Sequence, residues 1–366
     1  MLVERKNERL PPPPKGFPLL DALLDRLQSV LARHGRKLWW FHSLYALTLG
    51  TFVVLFAQKG FERARILAIT IGAAWLLVLL FFRLFGSGAA QHSLEKGGAG
   101  VRLRFFAMTY VIKNLYQGML FFVLPFYFKS ATWGAPNFAF VVLLGVCALL
   151  STLDIVMDRV VMRRRAFASL FHGLTLFSCL NIVVPALFSN TRTLYSLLIA
   201  AGFTVLAFWT LHAPLRAFRK PKYLLMIVAS IASGVAAAYY GRVMVPPVPM
   251  HLSKGAVGPK QLPDGRLQLE VSELHVSAIR EIHAVTDVVV PGGQGDRLRH
   301  VWRLDGAEIS DVTAEVERAS GLHGTIRLRS ELSAGELPKN LAGHWTIDIE
   351  TEDGQLVGRV TFIVID

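Results

Sequence analysis

The sequence predicts an all-α membrane bundle of seven transmembrane helices followed by a soluble all-β domain, for which we expect a small Ig-like β-sandwich. Three observations predict this fold class. Hydrophobic residues make up 53% of the 366 residues, and the mean hydropathy of +0.44 is high for a soluble protein. Apolar segments of about 20 residues, the length that spans a bilayer, recur as far as residue 245. Beyond residue 265, apolar and polar side chains alternate with the period of two that is typical of strands.

The net charge of +13 is divided unevenly along the chain. Residues 1–250 contain 27 Lys and Arg against 8 Asp and Glu, whereas residues 251–366 contain 12 against 18. Positive charge therefore accompanies the apolar segments, where membrane topology explains it, and the β-domain is acidic. This distribution argues against nucleic acid as a partner.

Residues 1–37 are expected to form a cytoplasmic tail. Four consecutive prolines at 11–14 predict a stiff spacer. From Phe17 to His34, apolar residues recur at helical spacing opposite a charged face. This pattern predicts a helix along the membrane interface or, alternatively, a helix docked on the bundle or on a partner.

Residues 38–245 are expected to form the transmembrane domain. Each predicted span is apolar over the length that crosses a bilayer. The seven predicted spans cover residues 38–58, 66–86, 105–128, 136–157, 166–188, 193–215 and 223–240. The last span ends in paired tyrosines, Tyr239 and Tyr240, which mark the far interface. Pro246 and Pro247 then stop the helix.

The basic residues in the loops predict the orientation. Loops on one side of the membrane, with the N-terminal tail, carry twenty Lys and Arg, and loops on the other side carry six. Because positive residues are enriched in the cytoplasm, the N-terminus is predicted to be cytoplasmic. Seven crossings then bring the C-terminal domain to the opposite side.

A linker at residues 246–265 is expected to lead into a β-domain at residues 266–366. Turn signals occur at residues 291–295, at Asp305-Gly306 and at Asp353-Gly354. The alternation predicts six or seven short antiparallel strands. They include residues 267–271, 282–288, 299–304, 308–316, 325–332, 344–350 and 356–364.

Several stretches in both halves resemble a family of uncharacterised bacterial multi-span inner-membrane proteins that end in the domain of unknown function 2914. The resemblance extends over roughly residues 38–366 and implies no established activity. It implies a multi-pass protein of the bacterial inner membrane with a periplasmic C-terminal domain. The matching stretches are Leu-Phe-Phe-Val-Leu-Pro-Phe-Tyr-Phe at 120–128 with Thr132-Trp133, His-Gly-Leu-Thr-Leu-Phe at 172–177, Val-Pro-Pro at 245–247, His-Val-Trp at 300–302, Asp305-Gly306, Gly-His-Trp at 343–345, and Asp353-Gly354 with Gly358 and Phe362.

Five ionisable residues are candidates for a polar layer inside the membrane. Lys113 lies in mid-span, where a charge costs roughly 2.5–3.5 kcal/mol on insertion, so it is expected to face protein or water. Asp154 is predicted to lie at a similar depth on the next helix. His42, His172 and His212 fall in the same leaflet. These residues line an ion path or a substrate pocket or, alternatively, form a structural ion pair with interfacial histidines.

Four residues of the β-domain form a second candidate group. Trp302 and Trp345 fall on predicted strands next to His300, and Arg327 is positioned to stack on one of the tryptophans. The alternatives are a sandwich core and a recognition surface for peptide, glycan or a partner protein. The scattered histidines and the two cysteines have no spacing typical of a metal site.

These features favour a non-enzymatic integral membrane protein that presents a periplasmic β-domain for binding or assembly. The alternative is a small transporter or an intramembrane enzyme that uses the polar layer around Lys113 and Asp154. We expect the lipid bilayer as a partner, a periplasmic protein, peptide or glycan as the ligand, and no cofactor or metal.

Overall fold

A computed structural model of the chain describes residues 48, 64–85, 99–153, 156–161, 164–188, 190–213, 215–263, 265–290, 296–313, 315–318 and 324–366. Helices precede residue 245, and strands follow it. The helices are α1 Ala64–Phe85, α2 Ala99–Ser130, α3 Phe138–Thr152, α4 Arg165–Leu187, α5 Thr193–His212 and α6 Pro221–Tyr240. A short π-helix, Met157–Val161, follows α3, and short 3-10 helices cover Leu215–Arg219 and Arg242–Met244.

Four helical stretches among the described residues are long and apolar enough to cross a membrane: Met108–Ser130, Ala166–Leu187, Thr193–His212 and Pro221–Tyr240. Four of the seven predicted spans are therefore supported. Two further apolar helical stretches, Ile69–Leu80 and Phe138–Thr152, are shorter. The predicted first span, residues 38–58, lies outside the described residues except for Thr48.

The predicted span over residues 136–157 is wrong as a single long helix. Helix α3 ends at Thr152 because Leu153 adopts an extended backbone, with φ −93° and ψ 97°. Fifteen helical residues extend about 22 Å, which is less than the roughly 30 Å of the hydrocarbon core.

Helix α2 packs against α1, α3 and α4. Its apolar residues that are at most 2% exposed recur every three or four positions, so they form one face of the helix. These residues are Ile112, Tyr116, Leu120, Val123 and Tyr127. Helix α6 lies at the edge, where Ile227 is its one buried residue and Leu225 is 70% exposed. This apolar exposure fits a helix whose outer face contacts lipid.

Nine strands form two sheets in the described part of the C-terminal domain. They are β1 His251–Gly258, β2 Glu273–His275, β3 Ile282–Val289, β4 Leu298–Leu304, β5 Ala307–Thr313, β6 Glu315–Arg318, β7 Thr325–Leu332, β8 Gly343–Thr351 and β9 Leu356–Ile365. The strand order is β1-β3-β7-β6 in the four-stranded sheet and β2-β9-β8-β4-β5 in the five-stranded sheet.

Three details of the strands differ from the sequence prediction. Strand β1 lies inside the segment expected to be a linker, whereas the predicted strand at 267–271 contributes only an isolated bridge between Leu267 and Gln261. Strand β2 pairs in parallel with β9, although all strands were expected to be antiparallel. The predicted strand at 308–316 is two strands, because the chain passes from one sheet to the other between β5 and β6.

Both sheets contribute side chains to a shared apolar core. Trp302 and Trp345 of the five-stranded sheet are fully buried and pack with Phe362; Trp345 stacks on it with ring centroids 5.8 Å apart. Val257 and Ile282 of the four-stranded sheet belong to the same cluster. Burial of two tryptophans supplies a large share of the apolar area that holds the sheets together.

Candidate functional site

The turn between β8 and β9 lies against the ends of α5 and α6. Arg192, which precedes α5, donates from Nη2 to Asp353 Oδ2 at 2.6 Å, and the same nitrogen lies 2.7 Å from Glu352 Oε1. Arg242, which follows α6, donates from Nε to the Asp353 carbonyl oxygen at 2.6 Å. Because the Asp353 side chain is only 19% exposed, these charge-assisted bonds form in a largely desolvated position.

A second set of bonds joins the start of α5 to the residue that precedes β4. The Thr193 amide donates to Asp296 Oδ2 at 3.0 Å, and its hydroxyl oxygen lies 3.1 Å from Asp296 Oδ1 and 3.0 Å from Gln355 Oε1. A carboxylate at this position complements the positive end of the helix dipole. Burial raises the pKa of Asp296, and the hydrogen bonds from Thr193 oppose that rise.

A further bond of this interface comes from Asn137, just before α3, whose Nδ2 donates to the Leu356 carbonyl oxygen at 3.0 Å. We call this interface the docking contact. It comprises Asn137, Arg192, Thr193, Arg242, Asp296, Glu352, Asp353 and Gln355.

The docking contact was missed by the sequence analysis. Arg192 and Arg242 were counted only as loop charges, and Asp353 was interpreted only as part of a turn. The available signal was weak: two isolated arginines at helix ends on the side that is otherwise poor in basic residues.

A polar cleft of about 420 Å³ opens on the outer face of the four-stranded sheet. Arg327 forms a bidentate ion pair with Asp287, at 2.8 and 3.0 Å, and Lys254 lies 2.7 Å from Glu270. Arg266 also lines the cleft. We call this site the polar cleft; its charged groups suit a ligand with several polar or ionic groups.

The predicted stacking of Arg327 on a tryptophan is wrong. Trp302 and Trp345 are fully buried between the sheets, and the Arg327 guanidinium instead pairs with Asp287. Alternation explains this result, because Ile326 and Leu328 point into the core and Arg327 therefore points outward. The tryptophans thus belong to the core, which was the alternative interpretation, and Arg327 belongs to the cleft.

His300 is also part of the domain interior. Its Nε2 lies 2.9 Å from the Thr286 hydroxyl, and its Nδ1 lies 2.6 Å from the Ser330 hydroxyl. Burial lowers the pKa of His300 to about 4, so the imidazole is neutral at physiological pH. His300 therefore cross-links the two sheets and takes no part in the polar cleft.

Of the described members of the predicted intramembrane layer, Lys113 and His172 are buried and His212 is half-buried. Lys113 is 9% exposed and lies one turn before Tyr116, whose hydroxyl is 3.0 Å from His172 Nδ1. His212 Nε2 lies 3.3 Å from the Ser169 hydroxyl. Asp154 and His42 lie outside the described residues.

His172 and His212 line one groove of about 740 Å³ between α4, α5 and α6. Its walls are mostly apolar and include the small residues Gly173, Ala201 and Gly234. We call this site the lipid-side groove. The structure thus brings together two of the predicted histidines, in a site that the sequence did not predict.

Two models of families of unknown function match the chain, and no curated protein matches it. A protein family of unknown function, DUF2914, matches residues 295–364, which confirms the resemblance predicted from the sequence. A second family model, DUF5924, matches residues 20–281 and so includes β1 and β2. Strand β3 lies between the two matched segments, so the β-domain includes residues that match each of the two family models. Because the second match covers more than half of its residues, the chain belongs to the family of unknown function DUF5924.

Proposed function

We propose that this protein is an integral membrane protein whose helical bundle holds an Ig-like binding domain in a fixed orientation on the periplasmic face of a bacterial inner membrane. The docking contact carries this proposal. Three helix ends and two strand connections meet there through ion pairs and hydrogen bonds. A domain connected only by a flexible linker needs no such contacts.

The position of the docking contact supports the proposed orientation. It involves the start of α3, the start of α5 and the end of α6. These ends lie on the side that carries six Lys and Arg, against twenty on the other side. We also propose seven crossings, in which residues 38–58 form the first and α3 with the π-helix Met157–Val161 forms the fourth.

The strand orders support an Ig-like sandwich. Four-stranded order β1-β3-β7-β6 corresponds to strands A, B, E and D of an immunoglobulin domain, and β4-β8-β9 corresponds to C, F and G. The buried Trp302 lies on the strand that corresponds to C, where immunoglobulin domains carry a buried tryptophan. In this correspondence, Asp296 lies in the B–C connection and Asp353 lies in the F–G connection. In antibodies these connections carry the recognition loops. Here the same end of the domain contacts the helical bundle.

We therefore assign recognition to the polar cleft instead of the loops. The cleft lies on the sheet opposite to the one that contains β8 and β9, and it presents Lys254, Arg266 and Arg327 beside two carboxylates. A peptide or glycan that bears ionic or hydroxyl groups suits this lining.

Photo-crosslinking of the full-length protein in its native cells tests this function. A photoreactive residue at Ala256, inside the cleft, is expected to give a discrete adduct that Arg327→Gln abolishes. The matched controls are a photoreactive residue at Ser310 and the change Arg299→Gln, both on the other sheet. Adducts that persist unchanged in Arg327→Gln, or that are equal at both positions, would contradict recognition in the cleft.

A second function is favoured by one observation, the burial of Lys113 next to the hydrogen-bonded pair of Tyr116 and His172. A small transporter or intramembrane enzyme requires a polar layer of this kind. The two functions differ in their dependence on Lys113. If the protein is a binding module, crosslinking at Ala256 and cellular function are expected to survive the change Lys113→Leu. If it is a transporter or an intramembrane enzyme, cellular function is expected to be lost in that variant.

A further inference from the structure

We propose that the lipid-side groove is a binding site for one anionic phospholipid of the surrounding bilayer, with an acyl chain between α4, α5 and α6 and the phosphate at the basic ends of these helices. The inference does not depend on the proposed ligand of the β-domain.

The dimensions and lining of the groove fit an acyl chain. Its volume of about 740 Å³ falls within the roughly 300–1,000 Å³ of sites that enclose small molecules. All three walls come from stretches that are long and apolar enough to span a membrane. Leu170 and Phe177 line the groove together with Val205, so its interior is apolar and faces the hydrocarbon region.

Small residues shape the groove. An ideal Cβ on Gly173 would meet one atom within 4 Å, Thr204 Cγ2 of α5 at 3.4 Å, which is an ordinary contact, so a larger side chain at this lining position would extend into the groove. Gly234, in contrast, is in close contact with α5, because a Cβ there would lie 2.6 Å from Val205 Cγ2. Helix α6 is therefore packed closely at one point, and a gap remains between it and α4.

The polar end of the groove lies at the start of α4 and the end of α5, and the basic start of α6 lies about two turns before Ser230, the first residue of α6 that lines the groove. Ala166, Ser169 and His212 line this end. Five exposed cations lie in the adjoining chain: Arg164, Arg216, Arg219, Lys220 and Lys222. Residues 159–263 contain no Asp or Glu at all, so this segment supplies no carboxylate of its own to balance them.

Charge complementarity identifies the occupant. A phosphodiester beside this cluster gains electrostatic attraction from several cations, whereas a zwitterionic headgroup brings an ammonium group into the same positive field. The mutually hydrogen-bonded Ser169 and His212 are the polar groups at this end of the groove. The lipid that fits is therefore one with a net negative charge.

Native mass spectrometry of the full-length protein in detergent tests the site. Dioleoyl phosphatidylglycerol and dioleoyl phosphatidylethanolamine, which share their acyl chains, are titrated separately. The expected result is one bound phosphatidylglycerol, with at least tenfold tighter binding than phosphatidylethanolamine. Equal binding of the two lipids, or a continuous series of adducts without a first tight step, would overturn the proposal.

Different variants test the acyl-chain site and the phosphate site. Gly173→Leu fills the groove and is expected to weaken phosphatidylglycerol at least tenfold, whereas Gly145→Leu, on α3 with nothing within 4 Å of its ideal Cβ, leaves binding unchanged. If Gly173→Leu fails to fold, Ala166→Trp blocks the same groove from its exposed end. Equal effects in the groove variant and the Gly145 control would overturn the site.

The double change Arg219→Gln with Lys222→Gln removes two of the exposed cations. It is expected to reduce the preference for phosphatidylglycerol to threefold or less, with little change in phosphatidylethanolamine binding. Lys129→Gln, at the opposite membrane face, is the control and retains the full preference. A preference that survives the double change would place the phosphate elsewhere.

Discussion

Removal of strand β1 is expected to destabilise the β-domain severely, although this strand lies in the segment that resembles a linker. Residues His251–Gly258 pair with β3 along its full length, and Val257 and Met250 are 1% and 2% exposed. Burial of each side chain contributes about 1.5–3 kcal/mol. Without β1, strand β3 also becomes an edge with unpaired backbone groups. The expected loss is about 3–6 kcal/mol, a large part of the roughly 5–15 kcal/mol that stabilises a typical domain.

Two fragments measure this loss. Residues 246–366 are expected to give a β-type circular dichroism spectrum and a cooperative urea transition, whereas residues 262–366 unfold at a much lower urea concentration or remain unfolded. Val257→Ala in the longer fragment is expected to cost about 1–3 kcal/mol, and Leu262→Ala, at a residue that is 38% exposed, less than about 0.5 kcal/mol. Two fragments with equal stability would refute the reasoning and restore the boundary expected from the sequence.

Three further predictions concern the charged and polar residues. The pKa of His300 is lowered from 6.5 to about 4, so the stability due to its neutral form is fully present above pH 6.5 and is lost as the pH falls towards 4, by about 3 kcal/mol in the urea transition. Arg192→Gln leaves Asp353 without its side-chain partner and is expected to weaken the docking contact by about 1.5–3 kcal/mol, measured as faster proteolysis between the bundle and the β-domain. Lys113→Leu or Asp154→Leu alone is expected to lower detergent stability by about 3–5 kcal/mol if the two are paired, and the double change to recover much of it.

Each of these three predictions has a contrary result. A His300→Gln domain with the same acid sensitivity as the original would remove this histidine as the cause. Proteolysis that is equally fast in Arg299→Gln, a variant of an ion pair within the β-domain, would mean that Arg192 does not hold the domain. Strictly additive losses at Lys113 and Asp154 would exclude a pair.

The sequence predicted the elements that depend on local patterns. Strands β3, β4, β7, β8 and β9 begin and end within about two residues of their predictions, because alternation and turn residues are local signals. Strand β1 lacks that alternation: it contains two glycines, and its burial follows no period of two. The end of α3 at Leu153 was missed because apolar residues continue beyond it at Ile155, Val156 and Met157, and composition does not reveal a change in backbone angles.

The candidate sites depend on contacts between distant residues, which local patterns do not reveal. Arg192 and Asp353 are 161 positions apart, and their ion pair exists only because the domain docks on the bundle. Arg327 is a candidate from the sequence, but its partner Asp287 follows from the register between β3 and β7. The position of His172 and His212 in one groove likewise requires the packing of α4 against α5.

The side of the membrane on which the β-domain lies tests the central claim most directly. A reporter enzyme that is active only outside the cytoplasm is fused after Asp366 and, in a separate protein, after Arg164, which precedes α4. The proposed orientation predicts activity from the fusion after Asp366 and none from the fusion after Arg164. The opposite pattern would place the β-domain in the cytoplasm and contradict its role as an exported binding module.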